Sequence, residues 1–328
     1  MIENSTGETS PQSKGCIMQP LRTYLYSVLC AAMACCPPLQ AEQPIRVFIL
    51  AGQSNMVGAG EVSANPHRNH GHGSLEWLVK ESKNAHHYAQ LLDKDSQWTK
   101  RSDVKIWFFD QAGDLTPGFG GRKDTIGPEL GFGWIIGDAF NEPVLLIKIA
   151  WGGKSLAKDF RPPSAGGPTG PFYSELITTT RDVLKNAGEL FPDVDNPSFQ
   201  LNGFGWHQGW NDRVNQTFND EYEENLASFI RDIRKDLRAP LLPFVIAETG
   251  MSGPHEKHPR ALSLMAAQAA VAQREEFREN VAFVETKMFY RPPEVSPSRQ
   301  GYHWNNNAET YFLIGEGMGK AMLSLLDH

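Results

Sequence analysis

Short, almost continuously apolar segments recur along the chain and predict buried β-strands. They are residues 45–51, 104–109, 143–150, 201–206, 243–247 and 281–284. Strands that are apolar on both faces are typical of parallel sheets covered by helices on both sides.

Segments with helical spacing of apolar residues fall between these strands. The predicted helices are residues 75–92, 173–190, 220–237, 261–277 and 308–326. Alternation of strands and helices predicts an α/β protein, a three-layer α/β/α sandwich with a mostly parallel sheet. No internal repeat, low-complexity stretch or long linker follows Ile45, so residues 42–328 are interpreted as a single domain.

Polar and glycine-rich segments follow three of the strands, at Gly52-Gln53-Ser54, at Trp151-Gly152-Gly153 and at residues 207–212. Ligands of parallel sheets lie beyond the carboxyl ends of the strands, so these segments are candidates for function. A serine after a strand is often only a helix cap. As a nucleophile, Ser54 needs a base for its proton and donors for the oxyanion that forms.

Donors for an oxyanion are available in the other two segments. The paired glycines let a ligand approach the main chain closely, although a tight turn would also explain them. Gln208 and Asn211 carry neutral amide donors. His207 lies inside the polar run, and we expect it to pack or to hydrogen-bond locally rather than to act as a base.

His303 is the candidate base. It lies in a polar loop between the last predicted strand and the last predicted helix, from which it can reach the same edge of the sheet. A lone histidine is usually structural or solvated, but a neutral imidazole near pH 7 is the right base for a serine hydroxyl.

Four short motifs occur in an order that is specific when they are taken together: LAGQSNM, GGKS, HQG and the late YHW. They resemble the four blocks of the SGNH hydrolase superfamily, and within it the sialate O-acetylesterase domain and carbohydrate esterase family six. The segment IGPELGFG at residues 126–133 also resembles a stretch between the first two blocks. The resemblance covers residues 45–326 and implies a flavodoxin-like (SGNH) sheet.

The resemblance also implies a role for each matching position. Ser54 is the expected nucleophile, and the main-chain amides of Ser54 and Gly153 are the expected oxyanion donors. Gln208 is the expected side-chain donor, with Asn211 as its rival because GWND also resembles the superfamily's Gly-x-Asn-Asp block. His303 is the expected general base, and then the acid that protonates the leaving sugar hydroxyl.

One position departs from the family pattern. The family commonly has an aspartate three residues before the histidine, where this chain has Gln300. The group that orients His303 is therefore open between a main-chain carbonyl, Glu285 and Asp212, with the carbonyl and a Ser-His dyad slightly favoured. Loss of an acid need not abolish activity, because the oxyanion donors and substrate positioning supply much of the rate.

The first 41 residues have the pattern of a secretory leader. Residues 18–41 contain a basic Arg22, a short apolar stretch and small residues before Ala41, which predicts a signal peptide with Met18 as a candidate start. Cleavage after Ala41 is favoured over lipid modification of Cys35, because AMAC lacks the usual leucine. All four cysteines lie in this leader, so the mature, secreted or periplasmic chain would have no disulfide or thiolate metal site.

The net charge of −7 gives no reason to expect nucleic acid as a partner, and the leader is too short for a stable membrane span. The expected reaction is hydrolysis of an O-acetylated carbohydrate without a metal or organic cofactor. Tryptophans at positions 151, 206, 210 and 304 flank the motifs and suit sugar rings. Two rivals remain: a carbohydrate-binding protein impaired in catalysis, suggested by Gln300, and a lipase or thioesterase on the same scaffold.

Overall fold

Seven strands form one sheet in the computed structural model, which describes residues 44–327. Within the described residues, the strands are β1 Ile45–Gly52, β2 Gly60–Glu61, β3 Arg101–Phe108, β4 Gln111–Leu115, β5 Thr125–Ile126, β6 Val144–Ala150, β7 Phe199–His207, β8 Phe244–Ala247 and β9 Val281–Val284. The sheet has the order β4-β3-β6-β1-β7-β8-β9, and only β4 is antiparallel to its neighbour. Strands β2 and β5 form a separate antiparallel pair.

Helices connect the parallel strands. They are α1 Ser54–Val57, α2 Leu75–Lys80, α3 Glu129–Ala139, α4 Pro171–Asn186, α5 Trp210–Arg213, α6 Gln216–Asp220, α7 Tyr222–Asp236, α8 Pro259–Gln273 and α9 Ala308–Leu326. Short 3-10 turns occupy Asn69–Gly71, Ala85–Leu91, Pro163–Ala165, Ala187–Leu190, Lys287–Phe289, Pro293–Val295 and Gly301–Asn306. Helix α9 has the predicted bounds, and the Asn307 side chain caps it by accepting a hydrogen bond from the Thr310 N–H.

The central strand β1 is buried on both faces. Phe48 and Leu50 pack into the hydrophobic cluster that contains residues of α2, α3 and α9. Val47 and Ile49 point to the opposite face, into the cluster that contains residues of α4, α7 and α8. The predicted three-layer α/β/α sandwich is therefore confirmed.

The order of the central strands places a crevice next to β1. Counted in chain order, strands β1, β6, β7, β8 and β9 read 2-1-3-4-5 across the sheet, which is the flavodoxin-like order. The chain leaves β1 toward one side of the sheet and later crosses to the other side. Ligands bind at such a switch point, just beyond the carboxyl end of the strand.

The prediction of one continuous helix over residues 75–92 is wrong. The helix ends at Lys80, and a separate 3-10 turn occupies Ala85–Leu91. In the gap, the Asn84 N–H donates to the Ser82 side chain instead of continuing the helix. Serine and asparagine offer the backbone such alternative partners, which explains the break.

Strand β4 and helix α3 were not predicted from the sequence. Strand β4 is polar and adds to β3 as an antiparallel hairpin. Helix α3 contains three glycines, which lower its intrinsic helix propensity, yet most of its residues are buried.

The predicted leader, residues 1–41, lies outside the described residues. Within residues 44–327, no helix combines the length and the apolar character needed to cross a membrane.

Candidate active site

Ser54 lies at the carboxyl end of β1, where the strand turns into α1. Close contact between the ends of β1 and β7 requires the glycine two residues earlier. Gly52 has φ 153°, and a Cβ at this position would lie 2.2 Å from the main-chain oxygen of His207. The turn therefore brings Ser54 beside the polar segment that follows β7.

Ser54 and His303 line the same cavity, which has a volume of about 490 Å³. Ser54 belongs to the first strand–helix connection and His303 to the loop before the last helix. The two side chains have no direct hydrogen bond in the described structure, and catalytic hydrogen bonds commonly tighten only when a substrate is bound. The fold thus brings the predicted nucleophile and the predicted base to one edge of the sheet.

The loop that carries His303 has an unusual backbone. Trp304, Asn305 and Asn306 all have positive φ, at 50°, 55° and 59°. Non-glycine residues seldom adopt this region, and each such residue is strained unless its surroundings hold it. Buried Trp304 anchors the loop, and the side chains of Asn305 and Asn306 donate to the carbonyls of Arg291 and Ala59.

Asn55 links the nucleophile turn directly to the histidine loop. Its side chain donates to the Tyr302 carbonyl at 3.1 Å and accepts from the Tyr311 hydroxyl at 2.8 Å. The same hydroxyl contacts the His303 carbonyl at 3.4 Å. Because Asn55 is buried, these hydrogen bonds fix the position of the histidine backbone relative to Ser54.

His303 is half-buried, and burial lowers the pKa of its imidazole below the ordinary value of 6.5. A neutral imidazole is the form that accepts a proton from a serine hydroxyl. Within the described part of the chain, no carboxylate is hydrogen-bonded to the His303 ring.

Neither of the two candidate acids contacts His303. Glu285 has a side chain that is 63% exposed, and its nearest charged partner is Lys287 at 3.7 Å. Asp212 is fully buried and accepts hydrogen bonds from the N–H groups of Leu156 and Ala157 at 2.8 and 2.9 Å. Gln300, at the position of the family aspartate, is hydrogen-bonded to His303 through the main chain: its carbonyl accepts from the His303 N–H.

The main-chain N–H groups of Ser54 and Gly153 are available as donors. Among the described residues, neither N–H has a hydrogen-bond partner in the protein. Gly153 has φ 71°, in the left-handed region, and is exposed. Its amide therefore lies at the protein surface, beyond the carboxyl end of β6. Both groups are therefore free to donate to an oxyanion.

The two side-chain candidates for the oxyanion differ in their surroundings. Gln208 is buried, and its amide nitrogen donates to the Lys154 carbonyl at 3.0 Å and to Asp212 at 2.5 Å. Asn211 is half-buried and uses its nitrogen on the Gly153 carbonyl at 2.7 Å. An amide nitrogen carries only two protons, so this geometry favours Asn211 over Gln208 as the side-chain donor.

Gln53, next to Ser54, is hydrogen-bonded to the polar segment that follows β7. Its side-chain oxygen accepts from the main-chain N–H groups of Gly209 and Asn211, at 3.1 and 3.3 Å, and lies 3.3 Å from the Gln208 amide nitrogen. Its nitrogen donates to the Asn211 side chain at 3.4 Å.

Burial raises the pKa of Asp212 to about 6, while its hydrogen bonds from Gln208, Ala157 and Leu156 favour the ionised form. Asp212 therefore holds the glycine segment and Gln208 in place.

A buried ion pair lies beneath the nucleophile turn. The Lys148 ammonium donates to the carbonyls of Val57 and Phe119 and to the Glu129 carboxylate, each at 2.7 Å. Lys148 and Glu129 are 0% and 1% exposed. Burial lowers the pKa of Lys148, and the Glu129 carboxylate opposes that effect. The pair ties the end of α1 to the segment before β5, which forms another wall of the cavity.

The flanking aromatic residues fall into two groups. Trp206 and Trp304 are completely buried, so the expectation that they face a sugar is wrong. Trp151 and Trp210 are half-buried. His207 is also buried, which lowers its pKa to about 4 and keeps it neutral. Within residues 44–327, no group of three or more His, Cys, Asp or Glu side chains is arranged to hold a metal ion.

Sequence reasoning missed the residues that hold the site together. Gln53 and Asn55 stand on either side of Ser54 in GQSNM, and these flanking amides were the available signal. Lys148 interrupts an otherwise apolar strand, which is also a visible departure from the pattern. The partners of these residues come from distant segments, so the sequence alone does not assign their contacts.

Comparisons with known proteins found a matching family model and similar solved structures. The family model described as "Carbohydrate esterase, sialic acid-specific acetylesterase" matches residues 44–324. A solved structure of a protein from Arabidopsis thaliana is 18% identical, with a TM-score of 0.56 over 86% of this chain and 99% of that one. A carbohydrate acetylesterase from Xanthomonas citri is 13% identical, with a TM-score of 0.49 over 84% of this chain and 55% of that one. No curated protein sequence matches.

At 18% identity, the likeness to the Arabidopsis protein shows the fold alone. The family model carries more weight, because it spans almost all of the described chain. Together with the strand-end motifs and the cavity that Ser54 and His303 share, it confirms the resemblance found in the sequence. The chain belongs to the sialic acid-specific acetylesterase family of carbohydrate esterases, and it is a carboxylic ester hydrolase.

Proposed function

We propose that this chain is a secreted serine esterase that removes O-acetyl groups from carbohydrates through an acetyl-serine intermediate. One observation carries the proposal. Ser54 and His303 line a single cavity at the carboxyl edge of the sheet, and the N–H groups of Ser54 and Gly153 are free to donate.

The first half of the reaction forms the acyl-enzyme. His303 takes the proton of the Ser54 hydroxyl as the oxygen attacks the acetyl carbonyl. The oxyanion accepts hydrogen bonds from the N–H groups of Ser54 and Gly153, with Asn211 as the side-chain donor. His303 then gives its proton to the sugar oxygen as the C–O bond breaks, which leaves an acetyl group on Ser54 and a free sugar hydroxyl.

The second half returns the enzyme to its starting state. His303 takes a proton from water, and the hydroxide attacks the acetyl-serine carbonyl. The same donors hold the second oxyanion. The proton on His303 then passes to the Ser54 oxygen as acetic acid leaves, and the acid ionises to acetate in water. The chain thus works as a Ser-His dyad, with the Gln300 carbonyl holding the backbone of His303.

The lining of the cavity favours a carbohydrate over a fatty acyl chain. Its polar and charged side chains are Ser54, Glu61, Arg68, Arg122, Ser298, Gln300, His303 and Asn306. Specific small-ligand sites combine shape with a few polar groups that fix orientation. A lipase or thioesterase needs a broad apolar groove, and this lining does not supply one.

Hydrolysis of p-nitrophenyl acetate tests the chemistry. We expect Ser54→Ala and His303→Ala to lose nearly all turnover while both still unfold cooperatively, and Ser324→Ala, an exposed serine on α9, to keep wild-type rates. Mass spectrometry of a rapidly quenched reaction should find the acetyl group on Ser54.

Other outcomes would replace the proposal. Equal rates for wild type and Ser54→Ala would favour a carbohydrate-binding protein without catalysis. Rates that rise from acetyl to octanoyl esters would favour a lipase or thioesterase. Loss of cooperative unfolding in His303→Ala would assign that residue a structural role.

Secretion is tested by the N-terminus of the exported protein. We expect the mature chain to begin at Glu42, after removal of the segment that ends at Ala41. A chain retained with its leader, or a lipid on Cys35, would contradict this part of the proposal without affecting the chemistry.

A further inference from the structure

Two arginines line the cavity beside Ser54 and His303. Arg122 belongs to the loop between β4 and β5, and Arg68 follows β2. Both approach the single carboxylate of Glu61 on β2, at 3.1 and 3.4 Å. The cavity wall therefore carries two positive charges against one negative charge.

The arginines keep most of their hydrogen-bonding capacity. Each guanidinium contacts Glu61 through one nitrogen only, and within the described residues it has no other protein acceptor. The arginine side chains are 54% and 65% exposed, whereas that of Glu61 is 15% exposed. A guanidinium has five donors in a planar fork that matches a carboxylate or sulfate.

Stability does not explain this arrangement. Exposed ion pairs contribute little to folding, because solvent screens them and long side chains lose freedom. The whole chain carries a net charge of −7, which disfavours anionic ligands in general. An excess of positive charge beside the proposed nucleophile therefore points to a ligand.

We propose that Arg68 and Arg122 bind an anionic group, a carboxylate or a sulfate, carried by the acetylated sugar whose ester is hydrolysed at Ser54. This inference rests on the proposed function, since it places the sugar in the cavity. Ser54, His303 and both arginines line the same cavity, so a sugar bound there lies next to the proposed nucleophile and next to the two guanidinium groups. Glu61 holds the two guanidinium groups together and leaves their outer nitrogens for the anion.

The test compares acetylated sugars that differ only in charge. The substrates are mono-O-acetylated methyl glucuronide, methyl glucoside and methyl glucoside sulfate. For the wild type, we expect kcat/KM to be at least tenfold higher for one anionic substrate than for the neutral one, mainly through a lower KM. The preferred anion distinguishes a uronic acid from a sulfated sugar, and the preference should shrink as salt is added.

Matched variants assign the effect to the two arginines. The loss of kcat/KM in Arg68→Gln and in Arg122→Gln should be at least fivefold larger on the preferred anionic substrate than on the neutral sugar or on p-nitrophenyl acetate. Arg278→Gln makes the same charge change at an exposed site just before β9, near the opposite edge of the sheet, and should change nothing.

Binding measured without turnover separates this inference from the proposed function. Calorimetry on Ser54→Ala should give tighter binding of the anionic than of the neutral acetylated sugar, and the difference should vanish when Arg68→Gln and Arg122→Gln are added. Equal affinity for charged and neutral sugars in Ser54→Ala would overturn the anion site even if hydrolysis is confirmed. Charge-dependent binding by an enzyme that hydrolyses no acetyl ester would support the site and overturn the esterase.

Discussion

The side chain of Asn55 donates a hydrogen bond of 3.1 Å to the main-chain carbonyl of Tyr302, although 247 positions separate the two residues. Each is the immediate neighbour of a proposed catalytic residue, Ser54 in one case and His303 in the other. The bond therefore sets the distance between the nucleophile turn and the loop of the base.

Replacement of Asn55 should reduce catalysis more than it reduces stability. Asn55→Ala removes the bond to Tyr302 and leaves the Tyr311 hydroxyl without its acceptor at 2.8 Å. We expect a loss of about 1–3 kcal/mol in the free energy of unfolding. We also expect kcat for p-nitrophenyl acetate to fall at least about tenfold, which corresponds to ~1.4 kcal/mol in activation free energy.

Tyr311→Phe is the matched control for this variant. It removes the hydroxyl but keeps the bond from Asn55 to Tyr302, so its loss of kcat should be smaller. Equal effects of the two variants on kcat would show that this bond does not position His303.

The two candidate acids should behave differently from each other. Glu285→Gln changes an exposed side chain beside Lys287 and should leave kcat within twofold of the wild type. Asp212→Asn should lower both stability and kcat, because an amide nitrogen would face the donors Leu156 N–H, Ala157 N–H or Gln208. Urea unfolding and steady-state kinetics check both variants. A loss of tenfold or more in Glu285→Gln would make that residue the orienting acid and contradict the dyad.

The acid limb of the activity profile should lie below pH 6.5. Burial lowers the pKa of His303 from that ordinary value, so the neutral, proton-accepting form persists to lower pH. Activity is therefore retained as the pH falls through 6.5 and is lost only when it falls through the lowered pKa. The measurement is kcat/KM for p-nitrophenyl acetate against pH.

Gln300→Asp provides the comparison for this profile. A carboxylate near the ring favours the imidazolium, so the variant should move the acid limb to higher pH. A wild-type limb at or above pH 6.5 would show that burial does not set the pKa of His303.

The buried Lys148–Glu129 pair should be needed for stability and for the shape of the cavity. Lys148→Met leaves the Glu129 carboxylate buried without its partner, which costs about 3–5 kcal/mol of unfolding free energy. The double variant Lys148→Met/Glu129→Leu should lose less than the sum of the single variants, because the unpaired charge is gone. Urea denaturation of the three variants tests this, and additive losses would mean that the pair is not coupled.

The apolar runs of the chain predicted the sheet and its two covered faces. The predicted bounds of strand 281–284 and of helix 308–326 agree with the structure. The strand segment is entirely apolar and the helix is long, so local secondary-structure preference and burial favour the same element in each case. Strand β4 was not predicted because its sequence is mostly polar, and it forms a strand only by pairing with β3. Helix α3 was not predicted because its three glycines disfavour a helix locally, and burial between other elements decides the outcome.

The residue types in the polar segments, together with the family resemblance, were sufficient to name Ser54, Gly153, Gln208, Asn211 and His303 as candidates. The choice between Gln208 and Asn211 needed the structure, because it depends on which amide is already occupied by Lys154 and Asp212. The surroundings of His303 and the pairing of Arg68 and Arg122 with Glu61 were likewise decided by tertiary packing. Local sequence determines what a segment can do, whereas contacts between distant segments determine which groups are buried, paired or left free.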